Sequence, residues 1–237
     1  MANTYLTRSV SSTGDRRKWT WSGWLKRGRT FSSGSDYIFS SNNGSNQYSM
    51  LAFASDTLRY YDYTSSFQSE IKTNRLFRDI SGYYHIVIIY DSAQGTASNR
   101  IKFYVNGVQE TSLSIATYPS QNNDSYMNYA GVPFYIGRET GTNNYNGIMS
   151  DINFSDGYAY GPETFGETDT DTGEWRIKDN PSFTLGTNGF TILRNGNTIT
   201  DQSTNSNNFT LGSGTLTNTK DCPSNVFATL NSLDSDL

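Results

Sequence analysis

The chain has 237 residues, of which 34% are hydrophobic and 17% are charged, and its formal net charge is -4. This acidic balance argues against nucleic acid as the main partner, because contacts with phosphate need a net basic surface. The composition also excludes a highly charged disordered chain, and no apolar run reaches the roughly 18 residues of a membrane-spanning helix. Aromatic residues make up 14% of the chain and include 17 Tyr, which favours many short β-strands joined by polar loops.

The cysteine and histidine content limits the chemistry further. A single cysteine, Cys222, excludes an intrachain disulfide, and one histidine leaves too few ligands for a Cys/His zinc site. The first residues, Met-Ala-Asn-Thr-Tyr, lack the basic and apolar segments of a signal peptide. We therefore expect synthesis and assembly in a cytoplasm, with no resident cofactor.

The first strong strand pattern is WTWSGWLKR, residues 19–27. Trp19, Trp21 and Gly23 share one face by period two, and Trp24 begins the other. Gly23 has no side chain and predicts the close approach of a bulky neighbour. Basic residues around this pattern, from Arg16 to Arg29, predict a charged sheet edge that blocks pairing with other chains; contact with a neighbouring subunit is the alternative. Further strands are predicted at Tyr37–Ser40, Gln47–Ala54, Thr57–Tyr63 and Phe67–Thr73.

The most apolar run is Tyr83–Asp91, which predicts a central strand buried on both faces. The next strand, Arg100–Val105, alternates apolar and polar residues and is followed directly by Asn106-Gly107. Both of these residues tolerate positive φ, so they predict a β-hairpin turn.

The second half of the chain carries weaker patterns. Strands are predicted at Pro133–Arg138 and Tyr145–Phe154, and a helical turn at Pro162. From Gly166 the sequence is acidic and rich in turn residues, and it contains short predicted strands at Gly189–Leu193, Thr198–Thr200 and Asn208–Leu211. The final residues include Val226, Phe227 and Leu230, for which the sequence offers no clear apolar partner. So many short strands with frequent turns indicate a sandwich or a barrel.

Four segments, in this order, resemble a known fold: WTWSGWLKR, GYYHIVIIYD, IKFYVNGVQ and FYIGRETGTNNYNGIMSDINFSDGYA. They are similar to the strand motifs of the concanavalin A-like/laminin-G-like jelly roll. The resemblance implies an all-β protein with a jelly-roll β-sandwich over residues 1–160. Residues 161–237 are then a linker and a short-stranded C-terminal extension, which packs on the sandwich or on a neighbouring subunit.

Three further segments resemble proteins of tailed bacteriophages, notably marine ones: MANTYLTRS, FGETDTDTGEW and NNFTLGSGTLTNTKDCPSNVFATLN. The proteins in question are tail-fibre, appendage or virion-surface proteins. The resemblance implies a virion structural protein that is assembled in the host cytoplasm, contacts other virion proteins and forms a homo-oligomer, with a trimer favoured. A lectin-like domain would attach to a bacterial surface glycan. The alternatives are a capsid decoration or cement protein without a ligand, and a glycan hydrolase.

Glycan binding needs exposed aromatic rings with amide or carboxylate groups nearby, and loops on a rigid scaffold are suitable positions. Tyr is also simply a good strand residue, so individual rings have packing as their alternative role. The candidate ligand-binding residues are Tyr60, Tyr61, Asp62, Tyr63, Asn122, Asn123, Asp124, Tyr126, Asn143 and Asn144.

Catalysis is not expected. A glycosidase of this fold needs two carboxylates about 5 to 9.5 Å apart, placed at alternate positions of one strand, and no predicted strand carries such a pair. His85 lies inside the most apolar strand, which predicts a core histidine rather than a general base. Cys222 stands in a polar segment and has no histidine near it in the sequence.

One segment resembles part of a calcium loop, namely Asp169-x-Asp171-x-Gly173. Its glycine stands at the fifth position instead of the sixth, and no glutamate closes the loop as a bidentate ligand. We therefore favour an Asp-rich turn, with a calcium site at Asp169 and Asp171 as the alternative.

Overall fold

The computed structural model describes residues 3–141, 143–194, 196 and 198–223. These residues form β-strands joined by loops and by two short 3-10 helices at Ala97–Asn99 and Pro162–Thr164. The second 3-10 helix confirms the helical turn predicted at Pro162. The strands of the described residues are β1 (Tyr5–Arg8), β2 (Lys18–Arg27), β3 (Ser35–Asn42), β4 (Gln47–Ala54), β5 (Thr57–Thr64), β6 (Phe67–Thr73), β7 (Tyr84–Asp91), β8 (Ile101–Val105), β9 (Val108–Glu110), β10 (Leu113–Thr117), β11 (Phe134–Ile136), β12 (Gly147–Asp156), β13 (Gly166–Thr168), β14 (Trp175–Ile177), β15 (Phe190–Ile192) and β16 (Thr210–Ser213).

Two antiparallel sheets pack face to face. The eight-stranded sheet has the order β10-β6-β5-β4-β3-β11-β1-β16, and the six-stranded sheet has the order β15-β12-β2-β7-β8-β9. The apolar residues on their inner faces form one core, which confirms a β-sandwich. A separate pair, β13 and β14, forms a small hairpin. Among the described residues, no helix has the length and apolar character that a membrane crossing requires.

Strand β2 shows how the alternating pattern builds the core. Trp19 and Trp21 are fully buried between the sheets, and the ring of Trp19 stacks on Tyr90 with centroids 5.3 Å apart. A Cβ atom at Gly23 would lie 2.6 Å from Cδ1 of Ile152, so the predicted close approach is confirmed. Burying these large rings supplies much of the hydrophobic stabilisation, at roughly 25 cal/mol per Å² of apolar surface.

The prediction that the basic residues guard a sheet edge is wrong, because β2 lies inside its sheet between β12 and β7. The charges are neutralised within the chain instead. Arg27 is fully buried and donates to Asp56 over 2.9 Å, and Arg17 donates to Asp124 over 2.7 Å. The acidic partners come from distant loops, which a strand pattern does not reveal.

Strand β7 is central in the six-stranded sheet and almost entirely buried, as predicted. The β8–β9 hairpin also follows the prediction: Asn106 and Gly107 both have positive φ, 48° and 80°. The side chain of Asn106 accepts a hydrogen bond from the backbone N–H of His85, so the turn is tied to β7 as well.

The C-terminal segment is built into both sheets. Strand β15 pairs with β12 at the edge of the six-stranded sheet, and β16 pairs with β1 at the edge of the eight-stranded sheet. Phe190, Ile192 and Phe209 of this segment belong to the buried core. The strand predicted at Thr198–Thr200 is wrong, since these residues lead into a turn around the buried Asp201 carboxylate, which accepts from nearby backbone N–H groups. The predicted apolar residues Val226, Phe227 and Leu230 lie outside the described residues.

Candidate functional site

Two of the predicted ligand-binding residues face the core and not the solvent. Tyr60 has no exposed surface and packs its ring against Trp19 at 5.6 Å. Asp62 is 1% exposed and accepts hydrogen bonds from the hydroxyls of Ser49, Tyr60 and Ser69. Burial raises the pKa of Asp62, and these hydrogen bonds oppose the rise. The prediction that both residues offer exposed groups to a glycan is therefore wrong. Their side chains lie on the inner face of the eight-stranded sheet.

The next residues of β5 point to the opposite side of the sheet. Tyr63 stacks on Tyr48 of β4, with ring centroids 5.1 Å apart and an angle of 12° between the planes. Phe67, at the start of β6, makes T-shaped contacts with Tyr61 and Tyr63, with ring centroids 5.8 and 5.3 Å apart. We call Tyr48, Tyr61, Tyr63 and Phe67 the aromatic floor. It lies on the outward face of the eight-stranded sheet.

The rings of the floor differ in exposure. Phe67 is 47% exposed and Tyr61 is 6% exposed, while Tyr48 and Tyr63 are half-buried. Tyr61 is thus the most buried ring of the floor. Its hydroxyl donates to Sδ of Met50 and lies 3.3 Å from the hydroxyl of Tyr37. The more exposed rings above it are the ones that a ligand could touch. This partly exposed aromatic surface is a candidate binding face.

A charge pair borders the floor. Arg59 of β5 lies over the Tyr61 ring, 4.3 Å from its centroid, and makes an ion pair with Glu70 of β6 at 2.7 Å. A cation over an aromatic face is attracted by the ring quadrupole, and the carboxylate fixes the guanidinium in place. The pair therefore offers hydrogen-bonding groups at a fixed position with little net charge.

The loop after β11 covers the neighbouring strand on the same face. We call its described residues, 138–141 with 143 and 144, the covering loop. Ser40 of β3 donates its hydroxyl to the carbonyl of Arg138 over 2.8 Å, and Asn42 donates to the hydroxyl of Thr140 over 3.2 Å. The loop therefore stands over β3 as a wall at one side of the floor.

The covering loop contains the predicted residues Asn143 and Asn144. Asn143 is exposed, whereas Asn144 is 8% exposed and forms a bridge with Tyr37 of β3. Glu139 of the same loop is half-buried and is close enough to Tyr48 to raise the pKa of its hydroxyl, although burial is the larger cause. Tyr48 therefore keeps its proton and remains a hydrogen-bond donor at neutral pH.

The loop from Asn122 to Tyr126 lies at the rim of the sandwich. Asn122 and Asp124 are exposed, and Asn123 is half-buried with its amide donating to the Tyr90 hydroxyl over 3.1 Å. Tyr126 is 4% exposed, and its hydroxyl donates to Gln47 at the start of β4. Asp124 is held by Arg17. These residues position the rim; glycan binding by the exposed ones stays a prediction.

Asp169 and Asp171 occupy a turn between β13 and β14. The carboxylate of Asp169 accepts the backbone N–H groups of Asp171 and Thr172, both at 2.9 Å, and pairs with Arg176 at 2.8 Å. These backbone hydrogen bonds lower the pKa of Asp169. In the part of the chain that the structure describes, no three His, Cys, Asp or Glu side chains group as metal ligands. The geometry is that of an Asp-rich turn.

His85 is a buried structural residue, as predicted. Its ring stacks on Trp24 with centroids 4.7 Å apart, and the ring of Trp175 lies beside it with centroids 5.9 Å apart. Nδ1 accepts from Nε1 of Trp175, so Nε2 carries the hydrogen in the neutral ring and donates to Ser22 over 2.9 Å. Burial lowers the pKa of His85 to about 3. His85 is therefore uncharged at neutral pH with both ring nitrogens hydrogen-bonded, and its bond with Trp175 holds the β13–β14 hairpin against the six-stranded sheet.

Cys222 is half-buried in the C-terminal segment.

The two sheets, their antiparallel order and the outward aromatic face define a lectin-like β-sandwich. The chain belongs to the concanavalin A-like lectin/glucanases superfamily, whose family model matches residues 2–163. This assignment confirms the predicted fold class. No curated protein sequence matches the chain.

Several solved structures are similar to this one. A putative carbohydrate binding protein from Bacteroides ovatus is 14% identical, with a TM-score of 0.52, and the alignment covers 93% of this chain and 61% of that one. A heptameric SAP-like pentraxin from Limulus polyphemus is 20% identical, with a TM-score of 0.43 and coverage of 65% and 70%. The Ruminococcus gnavus IT-sialidase CBM40, bound to sialyllactose, is 11% identical, with a TM-score of 0.40 and coverage of 63% and 87%. The first likeness shows that the shared fold extends into the C-terminal segment.

Sequence reasoning missed Tyr37, Tyr48, Phe67, Arg59 and Glu70. The available signal was the alternation of β4, β5 and β6, which puts Tyr48, Arg59, Tyr61, Tyr63 and Glu70 at outward positions once the inner face is known.

Proposed function

We propose that this protein is a non-catalytic glycan-binding component of a bacteriophage virion, presented on a tail fibre, spike or other surface appendage. The observation that carries the glycan-binding part is the aromatic floor with its bordering Arg59–Glu70 pair. Sugar rings have apolar faces and polar edges, so they match aromatic rings surrounded by fixed hydrogen-bonding groups.

The virion part of the proposal rests on the resemblance of three sequence segments to tailed-phage proteins. A homo-oligomer, with a trimer favoured, and contacts with other virion proteins belong to the same proposal. Multiple copies would give avidity to a weak single site. Labelling of intact particles with an antibody against this chain tests the location: label on an external appendage is expected, and particles that lack the chain contradict the proposal.

Glycan binding is tested with the purified chain on an array of bacterial surface glycans. We expect binding that falls by about tenfold in Tyr48→Ala and in Tyr63→Ala, because each removes one stacking ring. Tyr158→Ala is the matched control: Tyr158 is 43% exposed but contacts Tyr160 away from the floor. Equal losses in the control and the floor variants, or no binding by the wild type, contradict the proposal.

A non-catalytic role is tested on the same material. Two carboxylates border the floor: Glu70 is engaged in an ion pair with Arg59, and Glu139 lies in the covering loop close to Tyr48. We expect no release of reducing sugar from host polysaccharide during prolonged incubation. Sustained release by the wild type that is lost in Glu70→Gln would show a hydrolase instead.

A further inference from the structure

We infer that the aromatic floor takes the end of an uncharged glycan chain, with the terminal sugar against the covering loop and the next sugars running toward β6. The inference rests on the proposed glycan-binding function and specifies which part of a glycan the site accepts. Three features carry it: the direction of the aromatic row, the position of the wall, and the charge at the floor.

The exposed rings form a row across the strands. Tyr48 is the register partner of Tyr63, and Tyr63 is the register partner of Phe67. Neighbouring strands lie about 4.8 Å apart, so three consecutive positions span about 10 Å, enough for about two or three sugar rings laid end to end. The planes of Phe67 and Tyr63 differ by 79°, and Tyr63 is stacked on Tyr48, so the three rings offer a row of contacts and not one continuous stacking surface. A glycan chain that contacts all three rings therefore lies perpendicular to the strands.

The row is closed at one end and open at the other. Beyond Tyr48 the covering loop stands over β3, held by the hydrogen bonds of Ser40 and Asn42, so a chain lying on the floor cannot continue in that direction. At the other end Phe67 is 47% exposed, and β10, the next strand, is a sheet edge with mostly exposed residues. A wall at one end and an open edge at the other favour a chain terminus over an internal segment.

The charge at the floor favours a neutral sugar. Arg59 is the cation over the rings, and its ion pair with Glu70 satisfies it at 2.7 Å. An anionic sugar would have to compete with this carboxylate and would be repelled by it at short range, at a cost that low solvent exposure increases. Hydroxyl groups of a neutral sugar can instead bond to the outer lone pairs and N–H groups of the same pair.

The test is calorimetric titration of the whole chain with linear glucose, mannose and N-acetylglucosamine oligomers of one to six units. We expect the affinity for the preferred sugar to rise up to about three units and then stay constant. Phe67→Ala should weaken trisaccharide binding by about tenfold and monosaccharide binding by much less, since Phe67 lies farthest from the wall. Phe67 is a surface residue, so its truncation leaves the core intact, and Tyr158→Ala again serves as the control.

The outcomes separate this inference from the proposed function. An affinity that keeps rising to six units, or a Phe67→Ala loss that is equal for one and three units, would overturn end recognition while glycan binding stands. Stronger binding of uronic or sialic acid oligomers than of every neutral series would overturn the neutral-sugar part. Absence of binding to any oligomer or array glycan would remove the proposed function and this inference together.

Discussion

Replacing Asp151 by asparagine should change the pH dependence of the protein's stability. Asp151 lies at the bulge of β12, where the register with β2 shifts, and its backbone has a φ of 50°. Asparagine tolerates this left-handed conformation as well as aspartate does, so the backbone should be unaffected. The hydroxyl of Ser150, 2.6 Å from Oδ2, can donate to the amide oxygen of the variant in the same way.

The magnitude follows from the pKa of the carboxyl. Burial raises the pKa of Asp151 from 3.8 to about 6, against the opposing effects of Ser150 and of Arg194 at 3.7 Å. The folded protein therefore binds this proton more tightly than the unfolded chain. The resulting stabilisation is complete below about pH 4 and is lost as the pH rises through about 6. Two pKa units correspond to about 3 kcal/mol, an upper value for a side chain that retains some exposure.

The assay is urea unfolding of wild type and Asp151→Asn at a series of pH values, with the free energy of unfolding from linear extrapolation. The stability difference should move in favour of the variant by about 2 to 3 kcal/mol between about pH 4 and about pH 7. A difference for Asp151→Asn that is independent of pH, or that moves the other way, would refute the reasoning.

Three further predictions concern the core and the outward face of the six-stranded sheet. Gly23→Ala puts a methyl group 2.6 Å from both Ile152 and the Trp21 ring, so urea unfolding should show a loss of about 1 to 3 kcal/mol, and an unchanged midpoint would contradict the packing. His85 is the sole histidine, so its NMR signals are unambiguous; they should report a neutral ring at about pH 5, and a protonated ring there would contradict its burial. Trp175→Ala removes the indole that donates to Nδ1 of this imidazole and shields it from water, and should destabilise the protein by about 2 to 3 kcal/mol and raise the pKa of His85 in the same NMR titration.

Most strands of the two sheets were predictable because they carry strong local patterns, whereas the shorter strands β1, β10, β13 and β14 were not predicted. Period-two alternation located β2 and β8, and a continuous apolar run located β7. The Asn106-Gly107 turn was predictable because few residues adopt positive φ at two successive positions. These are properties of short segments, which a sequence displays directly.

The floor was harder to predict because it depends on which face of a strand turns inward. Tyr60 and Tyr61 are neighbours of the same residue type, yet one is in the core and the other faces outward. Asp62 is a charged residue type on the inner face of β5, so the sequence does not show that this face is buried. Its carboxylate is tolerated there because Ser49 and Ser69 on adjacent strands donate to it. Such partners are set by sheet register, which no local pattern encodes.

The place of β2 in the sheet was misjudged for a similar reason. Lys and Arg near a strand suggest an edge, but Arg27 is neutralised by Asp56, which reaches it from the turn between β4 and β5. Strand β12, which pairs with the edge of β2 opposite to β7, comes more than a hundred residues later in the chain. Tertiary pairing across such separations overrides what the local charge pattern indicates.

The pairing of β1 with β16 has a consequence for how the protein folds. These strands meet across most of the chain, and Thr4 bonds to Thr215, which is 211 residues later. Folding rates fall as contacts become more distant in sequence, because loop-closure entropy is lost before such contacts can form. Before the C-terminal segment is synthesised, β1 and β12 are unpaired sheet edges of the nascent chain. Because the contacts that complete both sheets are so distant in sequence, we expect slow folding together with a high barrier to unfolding.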